Sequence, residues 1–236
     1  MSTSIWDTKC IISPSLITLD MCSLASQVKE LEESGIGMLH VDILDGHFSP
    51  SMPLGLETVK QLRAKTDIAF DVHLMVTEQD YFVDELLDIG VQQLVFHAES
   101  EPHIDNRLNM IRARGVRTGI ALKPATPLST LEYVLDKCDT VLLMLINPGY
   151  ASNKSEGQVP YADRKIRELR KMIESRGLDT KIEIDGRISK ENMAEYGTGE
   201  VDIFVAGSTC LKRDDLKNSA AELVKFRENI VKGGRL

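Results

Sequence analysis

A chain of 236 residues that is 42% hydrophobic and 27% charged has the balance of an ordinary globular protein, with enough apolar mass for one large core. Its net charge of −8 argues against nucleic acid or an anionic membrane as the main partner, because both attract basic proteins. No apolar run is long enough to span a bilayer and no signal-peptide pattern opens the chain; Cys10, Cys22, Cys138 and Cys210 are too scattered for a zinc ribbon or a disulfide framework, so the cytoplasm is the expected compartment.

Taken in chain order, β-branched apolar runs alternate with longer amphipathic segments. The predicted strands cover 10–16 (CIISPSL), 38–44 (MLHVDIL), 68–75 (IAFDVHLM) and 93–99 (QLVFHAE). They continue with 118–123 (TGIALK), 140–146 (TVLLMLI), 181–185 (KIEID) and 202–208 (DIFVAGS). Helical patterns fill the intervals, as at 24–35 and at 162–177, where Ile166, Leu169, Arg170 and Ile173 recur at helical spacing. Gly35, Gly90, Gly115 and Gly177 each fall just before the next strand, where helices commonly stop.

Eight successive β-then-α units predict an α/β protein with a parallel sheet, and the best fit is a single (β/α)8 TIM barrel spanning residues 1–236. A doubly wound open sheet is the competing architecture. It usually carries G-x-G-x-x-G after its first strand, and SPSLITLD has none.

The polar residues fall where a barrel builds its active site. His40, Asp42, His73, His97 and Asp185 lie in the last residues of their strands, at the C-terminal face. His40 and Asp42 share a strand face, as do Asp71 and His73. The second and seventh strands of an eight-membered ring stand about 135° apart, so Asp42 and Asp185 would approach each other across the axis. Two imidazoles and two carboxylates meeting there make a mixed N/O site suited to one divalent ion: zinc, iron, manganese or cobalt. A lone histidine at a strand end is more often a hydrogen-bonded structural residue; four such groups on one predicted face favour a site.

The segments SPSL, HVDILDGHFSPSMPLG, DVHLMV, FHAE, KPATPL, INPGY, EIDGRIS and VAGST occur in this order over nearly the whole chain. Together they resemble the ribulose-phosphate 3-epimerase family, whose members are (β/α)8 barrels; the relatives acting on allulose 6-phosphate share the pattern. The resemblance implies that His40, Asp42, His73 and Asp185 hold one divalent metal and that Asp42 and Asp185 are the acid/base pair. It places Ser15, His73, Met75, Met144, Gly149, Gly186, Arg187, Gly207 and Ser208 around a phosphorylated ketose. Leu44 stands where the family has methionine. The methionines read equally well as a polarisable floor or as ordinary core. A homo-oligomer is expected.

The chemistry accounts for these residue types. Epimerisation beside a carbonyl removes a proton from one face and returns one to the other, which a single base cannot easily reach. Two carboxylates on opposite sides meet that need, and a cation would stabilise the enediolate. Phosphate-binding barrels that decarboxylate carry Asp-x-Lys-x-x-Asp on the third strand. Here that stretch reads Asp71-Val72-His73-Leu74-Met75-Val76, without lysine, which favours proton transfer. A non-catalytic sugar-phosphate binder is the third hypothesis; four ionisable groups kept together without a cation count against it.

The chain departs from the family at the phosphate end. Ala151 and Ser152 replace a glycine pair, the loop up to Pro160 is longer, and Arg187 stands where a glycine lets backbone N–H groups approach phosphate. Arg187, with Lys154, would bind phosphate through its side chain, or would redirect the site toward another acidic sugar, or would face solvent and do neither. The 150–160 segment reads as a lid or as a surface insertion. Asp45 is expected to serve an Asp-Gly turn, Asp71 to orient His73 or to make a structural hydrogen bond, His97 to touch the site without ligating, and His47 and His103 to lie in loops.

Overall fold

The computed structural model describes residues 4–151, 153 and 155–233. Ser152 and Lys154, named above for the phosphate end, lie outside the described residues. Eight strands, all parallel, form one sheet: β1 (Ile11–Pro14), β2 (Met38–Leu44), β3 (Ala69–Met75), β4 (Gln93–His97), β5 (Arg117–Leu122), β6 (Thr140–Met144), β7 (Lys181–Asp185) and β8 (Ile203–Ala206). From β2 to β8 each pairs with the next in the sequence, and β1 pairs with β8. A single bridge, Ser15 to His40, joins β1 to β2 and closes the ring. The fold is the expected (β/α)8 barrel.

Among the described residues the outer ring holds α1 (Leu24–Glu33), α2 (Leu56–Arg63), α3 (Gln79–Ile89), α4 (Ile104–Ala113), α5 (Ala162–Ser175), α6 (Lys190–Tyr196) and α7 (Leu216–Val231). The eighth expected helix is missing: β5 reaches β6 through two short 3-10 turns, Leu128–Leu131 and Leu135–Lys137. Pro124 and Pro127 remove two backbone donors at the start of that segment. Leu131, Val134 and Leu135 nevertheless remain buried, so that face of the sheet is sealed without a full helix. In α5 Ile166, Leu169 and Ile173 are buried as the spacing predicts, whereas Arg170 turns aside to Asp202 Oδ2 at 2.6 Å. The predicted glycine stops turn the chain with φ between 63° and 90°.

Alternation along the strands sorts the interior. Leu39, Val41 and Ile43 of β2 point outward and pack with Phe70, Val72 and Leu74 beneath the helices, while His40 and Asp42 point into the ring. Inside, Ile11, Met38, Ala69 and Ile203 form an apolar plug at the N-terminal end, covered by Ile5 and Trp6. Val95, Ala121, Leu142 and Met144 fill one flank. The remaining sector, from β2 and β3 across to β7, is polar and buried. Burying an apolar side chain stabilises by roughly 1.5–3 kcal/mol, whereas a buried ion without partners costs several. The sector is therefore not selected for stability, and its partners need an account.

Candidate active site

The four expected ligands converge. His40, Asp42, His73 and Asp185 each offer one atom such that all lie within 4.8 Å of one another. Asp42 Oδ1 lies 3.3 Å from His40 Nε2 and 3.5 Å from His73 Nδ1, and Asp185 Oδ2 lies 3.9 Å from that same His73 nitrogen. Register explains the meeting: Asp42 on β2 stands opposite His73 on β3, and Asp185 ends β7 across the ring. Gly186, immediately after Asp185, holds φ 114° with a backbone nitrogen of Ile146 2.9 Å from where a Cβ would sit, so only glycine permits this turn.

His40 is braced from below. Its Nδ1 lies 2.9 Å from Asp71 Oδ2 and 3.1 Å from Glu183 Oε1, and Gln93 Nε2 donates to the other Asp71 oxygen at 2.8 Å. Asp71 thus orients His40 and not His73; of its two expected roles, the hydrogen bond is the one the structure shows, with His40 as the partner. The two residues are register partners on adjacent strands, and lateral pairing brings side chains closer than two steps along one strand. His73 Nε2 instead lies 2.9 Å from His97 Nε2, and His97 Nδ1 lies 2.9 Å from Glu99 Oε2. Glu183, Gln93 and Glu99 join the expected residues here. Glu183 had a readable signal: it sits two residues before Asp185 on the same strand face.

Charge is divided unequally in this cluster. Burial alone would raise Asp42, yet the His40 cation and the two histidine contacts outweigh it and hold Asp42 far below the usual carboxylate range. Burial and the charge of Asp42 push Asp185 up to about 7. Burial disfavours a cation at His40, but Asp42, Asp71 and Glu183 together hold it well above the ordinary imidazole range. Burial pulls His73 down to about 4, against the pull of Asp42. Burial and the adjacent Asp71 charge raise Glu183 well above the carboxylate range.

Two nitrogens test whether a cation fits. His40 Nε2 and His73 Nδ1 are fully buried and make no hydrogen bond among the described residues, and both face the Asp42 and Asp185 carboxylates. An unsatisfied buried polar atom costs about 1–3 kcal/mol, so two of them side by side ask for a shared partner. Two nitrogens and two carboxylates are the donor set that zinc, iron, manganese or cobalt accepts, the ion taking the place of the proton that the surrounding carboxylates otherwise favour on His40.

Above the cluster opens a cavity of about 410 Å³. Ser15, Leu44, Met75 and Met144 line its floor with Asp42 and Asp185; Gly149, Gly186, Arg187, Gly207 and Ser208 line its rim. Every expected substrate contact lies there except His73, which is wholly buried beneath the floor and does not line the cavity. Ser15 Oγ donates to Asp42 Oδ2 at 2.7 Å. Arg213, not foreseen, also lines the rim and donates through Nε and Nη2 to Thr18 O at 3.2 and 3.0 Å.

Arg187 does not face open solvent. Its Nε donates to Glu156 O at 2.6 Å, and its Nη2 to Asn153 O at 2.8 Å and Ala151 O at 3.1 Å, in a left-handed backbone conformation with φ 53°. Gln158 Nε2 adds bonds to Gly186 O and Arg187 O. The segment after β6 is thereby tied to the turn after β7. Asp45 serves its turn as expected, accepting from the backbone of His47, Phe48 and Thr77; His47 and His103 are exposed in loops.

Ionisable groups gathered at the C-terminal strand ends around one cavity mark the chain as a barrel enzyme built like others of this fold. The model of the ribulose-phosphate 3 epimerase family matches residues 11–211. The chain is 34% identical to a ribulose-phosphate 3-epimerase of Bacillus subtilis (90% of this chain, 97% of the relative). It is 35% identical to one of Escherichia coli K12 (90% and 94%) and 36% identical to a chloroplastic one of Arabidopsis thaliana (87% and 73%). The chain belongs to the ribulose-phosphate 3-epimerase family and is an isomerase of the racemase and epimerase kind acting on carbohydrates. Solved structures with the same fold include KGPDC of Streptococcus mutans (TM-score 0.73, 11% identity, 94% of this chain and 99% of that one). Another is 3-keto-L-gulonate-6-phosphate decarboxylase of Vibrio cholerae (TM-score 0.69, 12% identity, 94% and 99%). At such identities they speak for the fold alone. No helix among the described residues is long and apolar enough to cross a membrane.

Proposed function

We propose that this chain interconverts D-ribulose 5-phosphate and D-xylulose 5-phosphate by moving a proton at C3 between Asp42 and Asp185. The observation that carries the reading is the meeting of the two carboxylates at one cavity floor, Asp42 from β2 and Asp185 from β7 across the ring, 3.5 and 3.9 Å from the same His73 nitrogen, with burial and the Asp42 charge pushing Asp185 up. The ionised partner accepts the C3 proton from one face, and the protonated partner delivers one to the other. Their roles exchange in the reverse direction. A divalent ion held by His40, Asp42, His73 and Asp185 would supply Lewis-acid stabilisation of the negative charge that develops on the ketose oxygens.

The chain's own residues do the rest. Ser15 fixes Asp42 by donating to the oxygen turned away from the histidines. Met75, Met144 and Leu44 keep water away from the reacting carbon. Gly207 and Ser208 offer the turn after β8 to the phosphate, with Arg187 and Arg213 on the same rim supplying positive charge. A hexulose 6-phosphate such as D-allulose 6-phosphate is the second reading, favoured by Arg187 and Ala151 on a rim where the family pattern has glycine.

The deciding experiment is a panel of pentulose and hexulose phosphates incubated in deuterated water, with C3 proton exchange followed by NMR. Ribulose 5-phosphate should exchange and epimerise with the highest kcat/KM. A hexulose phosphate leading the panel would transfer the assignment to that sugar, and a panel without any exchange would leave only a binding protein.

A further inference from the structure

The floor holds two ring nitrogens whose usefulness depends on where the protons of two imidazoles sit. His73 Nδ1 can offer a lone pair to a cation only if its proton is on Nε2. That nitrogen lies 2.9 Å from His97 Nε2, too close for anything but a hydrogen bond, and only one of the two can carry the proton. The direction is set one residue further on. His97 Nδ1 lies 2.9 Å from Glu99 Oε2, and a carboxylate only accepts. The other Glu99 oxygen is already committed, taking the Lys123 backbone N–H at 2.8 Å and the Thr126 hydroxyl. His97 must therefore place its proton on Nδ1, which leaves its Nε2 bare and obliges His73 to donate.

We propose that Glu99 is a positioning residue that sets, through His97, the tautomer in which His73 presents an unprotonated Nδ1 to the cation. The relay is built to hold one arrangement. His97 is fully buried, its ring packs at 4.7 Å from that of Phe48, and the Lys123 ammonium lies 3.9 Å above the outer part of the stack. Glu99 is anchored by backbone and hydroxyl donors, so it cannot turn to another partner without losing both. The opposite histidine, His40, meets two carboxylates directly at its Nδ1, Asp71 and Glu183. Only His73 is served by a carboxylate two hydrogen bonds away.

The inference rests on His73 being a ligand, and the test separates the two. In zinc-loaded chain labelled with ¹⁵N-histidine, long-range ¹H–¹⁵N spectra should show His97 protonated at Nδ1 alone and His73 protonated at Nε2. A carboxamide at position 99 can donate as well as accept and so frees His97 to reverse. Glu99→Gln should mix both tautomers and weaken zinc, measured by competition with a chromophoric chelator, by about 10–100-fold. Thr126→Val removes a donor to the other oxygen and should leave both tautomers in place. The proposal is overturned if native His97 carries its proton on Nε2 or on both nitrogens. It is equally overturned if E99Q keeps the native tautomers and zinc affinity, or if T126V moves the tautomers as far as E99Q. A native chain that binds no zinc would defeat the ligand reading instead, while the tautomers of the unloaded chain would still decide the relay. Should E99Q fail to fold, the native spectrum alone decides.

Discussion

The floor of the cavity is carried by β2, β3 and β7, and its rim by the loops after β6, β7 and β8; the two differ in what restrains their charges. On the floor the ionisable groups are held by side chains of other strands: His40 by Asp71 on adjacent β3 and by Glu183 from β7 across the ring, His73 by His97 on adjacent β4. On the rim the arginines are held by backbone carbonyls of loops: Arg187 by residues 151, 153 and 156, Arg213 by Thr18. Strand register leaves little room for change, because moving one member strands its partner in a dry interior. A loop carbonyl exposed at the surface loses much less when its donor is replaced. That difference gives a physical reason for the pattern read from the sequence, in which the four expected ligands are present on the floor and the departures from the resemblance fall on the rim.

Substitutions on the floor should break the comparison most severely. Asp42→Asn and Asp185→Asn should each lower kcat by about 10²–10⁴-fold, as the loss of one proton-transfer group does, with circular dichroism showing the barrel intact. Turnover near the native level in either variant would reject the pair. On the rim the effect should be smaller and of another kind. Arg187→Gly should raise KM for the phosphorylated substrate about tenfold while kcat stays within about twofold, the loss of a charge-assisted contact being worth on the order of 1.4 kcal/mol. The backbone should not object, since glycine adopts the φ of 53° at no cost. A matching fall in kcat would instead make the loop it anchors part of the chemistry.

The smallest effect belongs to a buried amine outside both regions. Lys165 on α5 donates to Lys123 O and Pro124 O at 2.9 Å, and burial pulls its pKa down from 10.5 to about 8. Between those values the unfolded chain binds the proton and the folded chain does not, so this group makes stability rise as pH climbs from 8 to 10.5. Lys165→Met should flatten the Tm profile over that window and leave kcat unchanged. An equal slope in both proteins would show that the folded amine keeps its proton.

The sequence made the barrel legible because apolar runs alternate with amphipathic ones eight times, and His40, Asp42, His73 and Asp185 stand out as ionisable groups within or at the end of such runs. It made the cavity rim legible in composition but not in conformation. The three readings of Arg187 depended on where loop 150–160 lay, and no periodicity governs a loop. Of the two expectations for Asp71 the hydrogen bond is realised, but to His40: a sequence displays neighbours along a strand, whereas this bond runs sideways to a register partner. Glu183 stayed hidden in KIEID among ordinary surface-like charges, and Glu99 stands just past the strand end in a 3-10 turn, where alternation no longer applies. Prolines at 124 and 127 announced a broken helix between β5 and β6 that the regular rhythm of the chain masked.

The ring of strands is fastened unevenly. β2 and β3 are zipped from Met38 to Leu44, but β1 and β2 meet at the single rung between Ser15 and His40, reinforced by the Ser15 hydroxyl reaching Asp42. A cation gripping β2 and β3 on one side and β7 on the other would span this seam from above, like a hoop drawn around a barrel at its loosest stave. Loading the site would then do mechanical as well as chemical work, damping the opening of the one joint in the wall that the backbone leaves half sewn.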